Sequence, residues 1–459
     1  MQTQTKISPR VIGAIIATGL MSFCGVVVET AMNITFPTLM TEFNVTTSTV
    51  QWMTTIYLLV VASIVPLSAF LKRRFKTRTL FLCANLLFIT GLVIDLCATV
   101  FPLMILGRAV QGFGTGIALP LMFNIILEQV PTSKIGTMMG VGTLITAIAP
   151  AIGPTFGGLV VTNMSWRFIF VFLLPFMLLS LVLGWTCIQQ KSATEAIRSD
   201  FLSIALVILA FVGLVFGSSS ISTAPLLSLN VLGAFIIGTI ALALFCRRQL
   251  HLDTPIINVR VLANGRFSGH VLAFFLIQAT ALGLSFILPN YVQLVNHQTA
   301  LVAGLLVLPG AALGAICAPF SGRLLDHVGA RLPIVLGSGI AAVALILYVS
   351  LGLTISNLLL TLVYLLYMLG IGISFGNVMT NALQQLDVQH QSTGNAILNT
   401  IQQFSGALGT AITSTLVAAG QAGHTITTGT AIGAHHAFIF LAILYVGTFV
   451  TTLVITRKN

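Results

Sequence analysis

Runs of about twenty apolar residues follow one another along almost the whole chain, and that is the length a helix needs to cross the hydrocarbon core of a bilayer. Backbone N–H and C=O groups cannot stay unpaired in hydrocarbon, so runs of this kind must be helices. Only 6% of the 459 residues are charged and 57% are hydrophobic, against about 25% charged in a soluble domain. The fold class that follows is an all-α polytopic membrane protein. About 14 spans are expected, near 11–36, 49–70, 79–100, 102–126, 136–161, 168–188, 201–221, 226–246, 268–292, 300–320, 332–353, 357–380, 394–418 and 435–456. The run from Val11 is too long for the core of a cleaved leader and is read as a retained first span.

The net charge of +11 is read as membrane orientation rather than nucleic-acid binding. With this span order, 18 of the 20 Lys and Arg fall on one side, from Lys6 and Arg10 through the Lys72–Arg78 cluster to Arg457 and Lys458. Arg167 lies on the other side and Arg108 within a span. Positive loops stay inside, so both termini are expected in the cytoplasm, with the chain in the cytoplasmic membrane and bounded by lipid. The six cysteines form no CxxC pair, there is no GxxxxGK[ST] loop, and no nucleophile–base pair or metal cluster stands out. An enzyme, an ATP-driven pump and a cofactor or metal protein are therefore disfavoured, and no cofactor is expected.

An internal echo points to transport. Ser68-Ala-Phe-Leu-Lys-Arg-Arg-Phe-Lys-Thr-Arg78 closes the second span and Ser321-Gly-Arg-Leu-Leu-Asp-His-Val-Gly-Ala-Arg331 closes the tenth. Related halves around a midplane site are the usual architecture of secondary transporters. The division expected is a six-helix half over 1–188, a linker with two inserted helices over 189–267, and a second six-helix half over 268–459.

Five stretches then resemble the major facilitator superfamily, in particular its 14-span drug:proton antiporter branch. They are Gln51-Trp52 with Tyr57, Ile105-Leu-Gly-Arg-Ala-Val-Gln-Gly-Phe-Gly-Thr-Gly116, Ala149-Pro-Ala-Ile-Gly-Pro-Thr-Phe-Gly-Gly158, Trp166-Arg167-Phe168 with Pro175, and Asn395 through Gly409. The resemblance covers nearly the whole chain. It implies the major facilitator fold, alternating access, and proton-coupled efflux of hydrophobic or cationic compounds by a monomer. It also implies conformational roles for Pro150, Gly153, Pro154, Gly157 and Gly158, and for Gly322, Asp326, Gly329 and Arg331. The chain departs from the pattern in three places. Arg73 stands where Asp326 stands in the second copy, Gln402 stands where many members have Arg, and the first-span acid falls at Glu29 rather than at the position of Val28.

The residues support a site on their own terms. A charge at the bilayer centre costs roughly 2.5–3.5 kcal/mol on insertion scales, so Glu29 must be protonated, paired, or facing water or substrate. At about 1.5 Å rise per residue, Glu29, Asp95 and Arg108 all fall roughly 9–10 Å below the outer end of their spans. These three are the candidate proton-coupling residues. Arg108 is expected to pair with one of the two acids, leaving the other to titrate; Glu29 is favoured for that role and Asp95 is read as mostly structural. Ser22, Gly25, Glu29 and Asn33 form one helical stripe, and Asn395, Asn399 and Gln402 form another. Candidate substrate-binding residues are Asn33, Met53, Tyr57, Gln111, Phe123, Asn124, Gln278, Phe286, Tyr291, Tyr364, Tyr367, Asn377, Asn399 and Gln402. Each of these can instead serve packing or helix–helix contact. His270, His297, His435 and His436 are read as interfacial. A proton-coupled transporter of one specific metabolite is the competing reading, because Arg108 also suits an anionic or zwitterionic ligand.

Overall fold

The computed structural model describes residues 7–131, 135–191, 194, 200–221, 227–252 and 255–457. Within its helices, the side chains of Arg73, Arg323 and Asp326, and the surroundings of Gly140, lie outside the described residues. Sixteen α-helices follow one another: α1 (Pro9–Ile34), α2 (Phe36–Glu42), α3 (Thr47–Ile64), α4 (Ser68–Arg74), α5 (Thr77–Leu96), α6 (Phe101–Gln129), α7 (Ile135–Asn163), α8 (Phe168–Cys187), α9 (Phe201–Ser220), α10 (Ala234–His251), α11 (Gly265–Leu294), α12 (Ala300–Val328), α13 (Arg331–Ser350), α14 (Asn357–Gln384), α15 (Val388–Gln421) and α16 (Ile426–Ile455). Among the described residues, twelve segments are long and apolar enough to cross a membrane. The expectation of about 14 such spans is thus met for twelve, with α7 and α15 outside that number. In α15 the amides and hydroxyls of Asn395, Asn399, Gln402, Gln403 and Ser405 dilute the apolar run.

Local chemistry sets the helix ends. Pro9 opens α1, where its missing N–H has no partner to lose. Thr46, Thr299, Ser356 and Thr425 accept the backbone N–H three residues on and so cap α3, α12, α14 and α16. The second expected span does not run straight through to residue 70. Pro66 sits in a 3-10 turn over Val65–Leu67 that separates α3 from α4. Gly329, at φ 82°, ends α12 in a conformation open to glycine.

The helices α1, α3, α5, α6, α7 and α8 pack on one another, and α11 to α16 do the same. The two sets meet through α7 against α12 and through α3 against α15. Helix α9 lies over the second seam. Phe211 stacks on Phe404 at 4.7 Å, Trp52 meets Phe216 at 5.9 Å, and Thr415 Oγ1 donates to Ser218 O at 3.2 Å.

Asp200 caps α9, and its carboxylate takes two hydrogen bonds from Arg248 Nε (2.9 and 3.2 Å) and one from Nη2 (2.9 Å). These bonds hold the Asp200 carboxyl below the usual carboxylate range. A depressed folded-state value stabilises the hairpin above about pH 4 and loses that contribution as the pH falls through the lower folded value. The Arg248→Leu variant is therefore expected to melt slightly below the wild type at pH 7, with the gap narrowing as the pH falls below about 4 in detergent. The pair is partly exposed, so the gap at pH 7 is small.

Candidate functional site

Arg108, Asp95 and Glu29 do lie near one another, but Arg108 pairs directly with neither acid. The guanidinium is fully buried. Its Nη1 donates to Gln111 Oε1 at 2.7 Å and its Nε to Met53 O at 3.3 Å. Gln111 Nε2 donates in turn to Asp95 Oδ2 at 2.7 Å. The amide therefore presents its oxygen to the cation and its nitrogen to the anion. Below the guanidinium lies the Tyr57 ring, with Cζ 4.3 Å from its centroid, a cation–π contact inside the bundle. The Tyr57 hydroxyl is fixed by Gly25 O and Thr115 Oγ1, each at 2.9 Å. Arg108 Nη2 and Asp95 Oδ1 are buried and have no hydrogen-bond partner among the described residues.

Glue for this layer comes from glycines. A Cβ on Gly107 would strike the Asp95 carboxylate, and a Cβ on Gly91 would come within 2.5 Å of Gln111 Cγ. Gly112 and Gly116 admit Val60 and Ile64 of α3, and Gly114 admits Phe88 of α5. The 105–116 stretch thus fits α6 closely between α3 and α5 and leaves room for polar groups.

Glu29 sits one turn above Gly25 on α1. Its carboxylate accepts no hydrogen bond from the described residues, and the side chain keeps 8% exposure. One turn further, Asn33 spans the two helix sets: Thr54 Oγ1 donates to Asn33 Oδ1 (3.1 Å), and Asn33 Nδ2 donates to Ser285 Oγ on α11 (3.2 Å). Phe36 meets Phe286 at 5.6 Å, and Gln293 Nε2 donates to Ile34 O at 3.1 Å.

Further hydrogen bonds between the sets lie at this same end, the one poor in cations, while the 3-10 turn over Val65–Leu67 also packs on α15. Thr47 Oγ1 donates to Gln421 Oε1 at 2.7 Å, Leu301 N to Thr162 Oγ1 at 3.0 Å, and Thr155 Oγ1 to Gly304 O at 3.2 Å. Gly158 faces the backbone of Ala300 and Leu301, and Gly304 faces Pro154 O. Gly153 and Gly157 instead face Thr30 and Ala31 of α1. The small residues of α7 therefore serve two different contacts. Pro150 is exposed. Arg331 is exposed at the opposite end, and a Cβ on Gly322 would meet nothing within 4 Å. The Asp326 side chain lies outside the described residues.

The remaining candidates scatter. Tyr291 Oη donates to Leu353 O (2.5 Å) and accepts from Ile355 N (2.9 Å), which ties it to a loop. Asn377 Nδ2 donates to Ser321 Oγ at 2.7 Å and joins α14 to α12. Asn399 bonds Asn395 within its own helix. Tyr367 stacks with Tyr364 and meets Tyr445 edge-on at 5.9 Å. Phe123, Asn124, Gln278 and Gln402 are half-buried. His270, expected at the interface, is fully buried: it bonds Arg266 O and Asn381 Nδ2, each at 2.7 Å. Ser285 and Thr115 are contacts the sequence did not announce. Trp166 and Arg167 clamp Glu42 at 2.6 and 2.8 Å, and Arg167 also reaches Ala98 O at 2.6 Å.

Apolar helices in two packed sets, meeting over a buried polar layer, define a polytopic helical membrane protein. The family follows from comparison. Residues 18–410 match the Major Facilitator Superfamily, and the chain belongs to that family. It is 37% identical over 454 residues to the lincomycin resistance protein LmrB of Bacillus subtilis, covering 96% of this chain and 94% of that protein. It is 27% identical over 413 residues to the multidrug resistance protein B homolog of Mycobacterium tuberculosis, covering 89% and 76%. Among solved structures, a POT family transporter in complex with a thioalcohol-conjugated peptide superposes with TM-score 0.75 at 14% identity, over 99% of both chains. An inward-facing bacterial homolog of the lysosomal transporter Spinster gives 0.70 at 13%, over 98% of both. At such identities the likeness concerns the fold alone.

Proposed function

We propose that this protein exports hydrophobic or cationic drugs across the cytoplasmic membrane in exchange for protons, by alternating access, as a monomer. The observation that carries the reading is Glu29, a carboxylate in a membrane helix that takes no hydrogen bond from the described residues, while the neighbouring Arg108 directs its Nη1 and Nε donors to Gln111 and Met53. A carboxylate kept this way can gain and lose a proton without breaking a pair. The relatives' names, a lincomycin resistance protein and a multidrug resistance protein homolog, support drugs as cargo.

The working unit in this reading has 14 spans, with α7 and α15 completing the twelve apolar segments. Residues 1–188 and 268–459 form the two moving halves, and 189–267 carries the inserted pair α9 and α10. Positive charge at the end holding Arg10, Arg74, Arg78 and Arg457 supports a cytoplasmic placement of both termini. The gathered contacts at the other end then correspond to a state closed to the outside. In that state Glu29 releases its proton inward and substrate enters. The halves rock, Glu29 takes a proton from outside, and the substrate leaves.

Efflux of ethidium and of lincomycin from loaded cells tests this, with and without a protonophore. Both are expected to stop when the gradient collapses. Export that survives the protonophore overturns proton coupling, and transport of a single narrow substrate favours the metabolite reading.

A further inference from the structure

We propose that Asp95 is the standing counter-charge of Arg108, delivered through the Gln111 amide, and that this three-residue relay is what leaves Glu29 unpaired. The inference rests on the reading of Glu29 as the proton carrier and deepens it by assigning the second acid. A fully buried guanidinium needs a compensating negative charge nearby. Two carboxylates share its layer, and of these Asp95 is bonded, through Oδ2, to the same Gln111 amide that accepts from the cation. An amide between unlike charges is held in one orientation: a reversed amide would aim its N–H groups at the cation and its oxygen at the anion.

The packing is built around this arrangement. Gly107 makes the space that the Asp95 carboxylate fills, and Gly91 the space that the Gln111 stem fills, each with the neighbouring backbone close behind. Both acid and amide are fully buried. Tyr57 closes the layer below Arg108, and its hydroxyl is bonded to Gly25 O, on the same α1 stripe as Glu29. Asp95 and Gln111 are therefore positioning residues. They tie the cation on α6 to the carboxylate on α5.

The test moves the negative charge along the relay. Asp95→Asn keeps an acceptor for the Gln111 amide and removes only the charge. It is expected to lower lincomycin counterflow in proteoliposomes roughly tenfold or more, because a buried cation is left without its counter-charge. The double variant Asp95→Asn with Gln111→Glu places a carboxylate directly on Arg108 and is expected to restore most of the rate. Asp95→Asn at the wild-type rate overturns the proposal, and so does a double variant no better than the single one, since a hydrogen-bonding role alone gains nothing from relocated charge. Should Asp95→Asn not fold, Gly107→Ala serves in its place: it keeps both charges, dislodges the Asp95 carboxylate, and is rescued by the same Gln111→Glu change. Counterflow needs no proton gradient, so the outcome stands even if efflux proves independent of protons.

Discussion

Glu29→Gln is expected to abolish uphill export while leaving downhill counterflow near the wild-type rate. Glutamine keeps the size and polarity of the side chain, and no described hydrogen bond depends on the carboxylate. What it removes is the exchangeable proton. For an uncharged substrate, one elementary charge moving through 100 mV is worth about 2.3 kcal/mol, which sustains a substrate ratio of roughly 50-fold for each proton; for a monocation the one-for-one exchange is electroneutral and the pH difference alone drives it. The variant should let that ratio decay toward unity. Steady-state ethidium accumulation in energised cells and exchange in de-energised vesicles report the two halves of the prediction. Loss of both activities together would assign Glu29 to substrate binding or folding instead.

Gly158→Leu is expected to cripple transport by a different route. A side chain here meets the backbone of Ala300 and Leu301, which cannot rotate aside, where α7 and α12 meet. Overpacking of this kind costs about 1–3 kcal/mol, and it falls only on the state in which this end is closed, so the balance of states should move by roughly 5- to 150-fold. A cysteine at Thr162, whose hydroxyl accepts from Leu301 N at this seam, should react faster with an impermeant maleimide in the Gly158→Leu background. Unchanged labelling and unchanged transport would mean that the seam is not part of the cycle.

How far the sequence reaches can be judged residue by residue. Long apolar runs made the helices legible, because one physical requirement, backbone satisfaction in lipid, leaves no other structure. Arg108 and Gln111 were legible as neighbours, being three apart on one helix. The link onward to Asp95 was not, because it depends on the register of α5 against α6 and on the room left by Gly107 and Gly91. Sequence spacing offers Arg108 two ion partners, and nothing in it points to an amide between the charges. Contacts such as Asn33 with Ser285, 252 residues apart, leave no local trace. Tyr291 and Asn377 look like pocket residues by type, yet their polar atoms are spent on a loop and on a neighbouring helix. His270 looks interfacial by position and is buried through Asn381.

The most direct measurement is of the proton itself. Purified protein in proteoliposomes carrying an internal pH dye is given an outward lincomycin gradient with no imposed pH or voltage difference. The account predicts that substrate leaving the vesicles draws protons in, so the lumen acidifies with the wild type and does not with Glu29→Gln. Substrate movement through the wild type with no change in lumenal pH would contradict it.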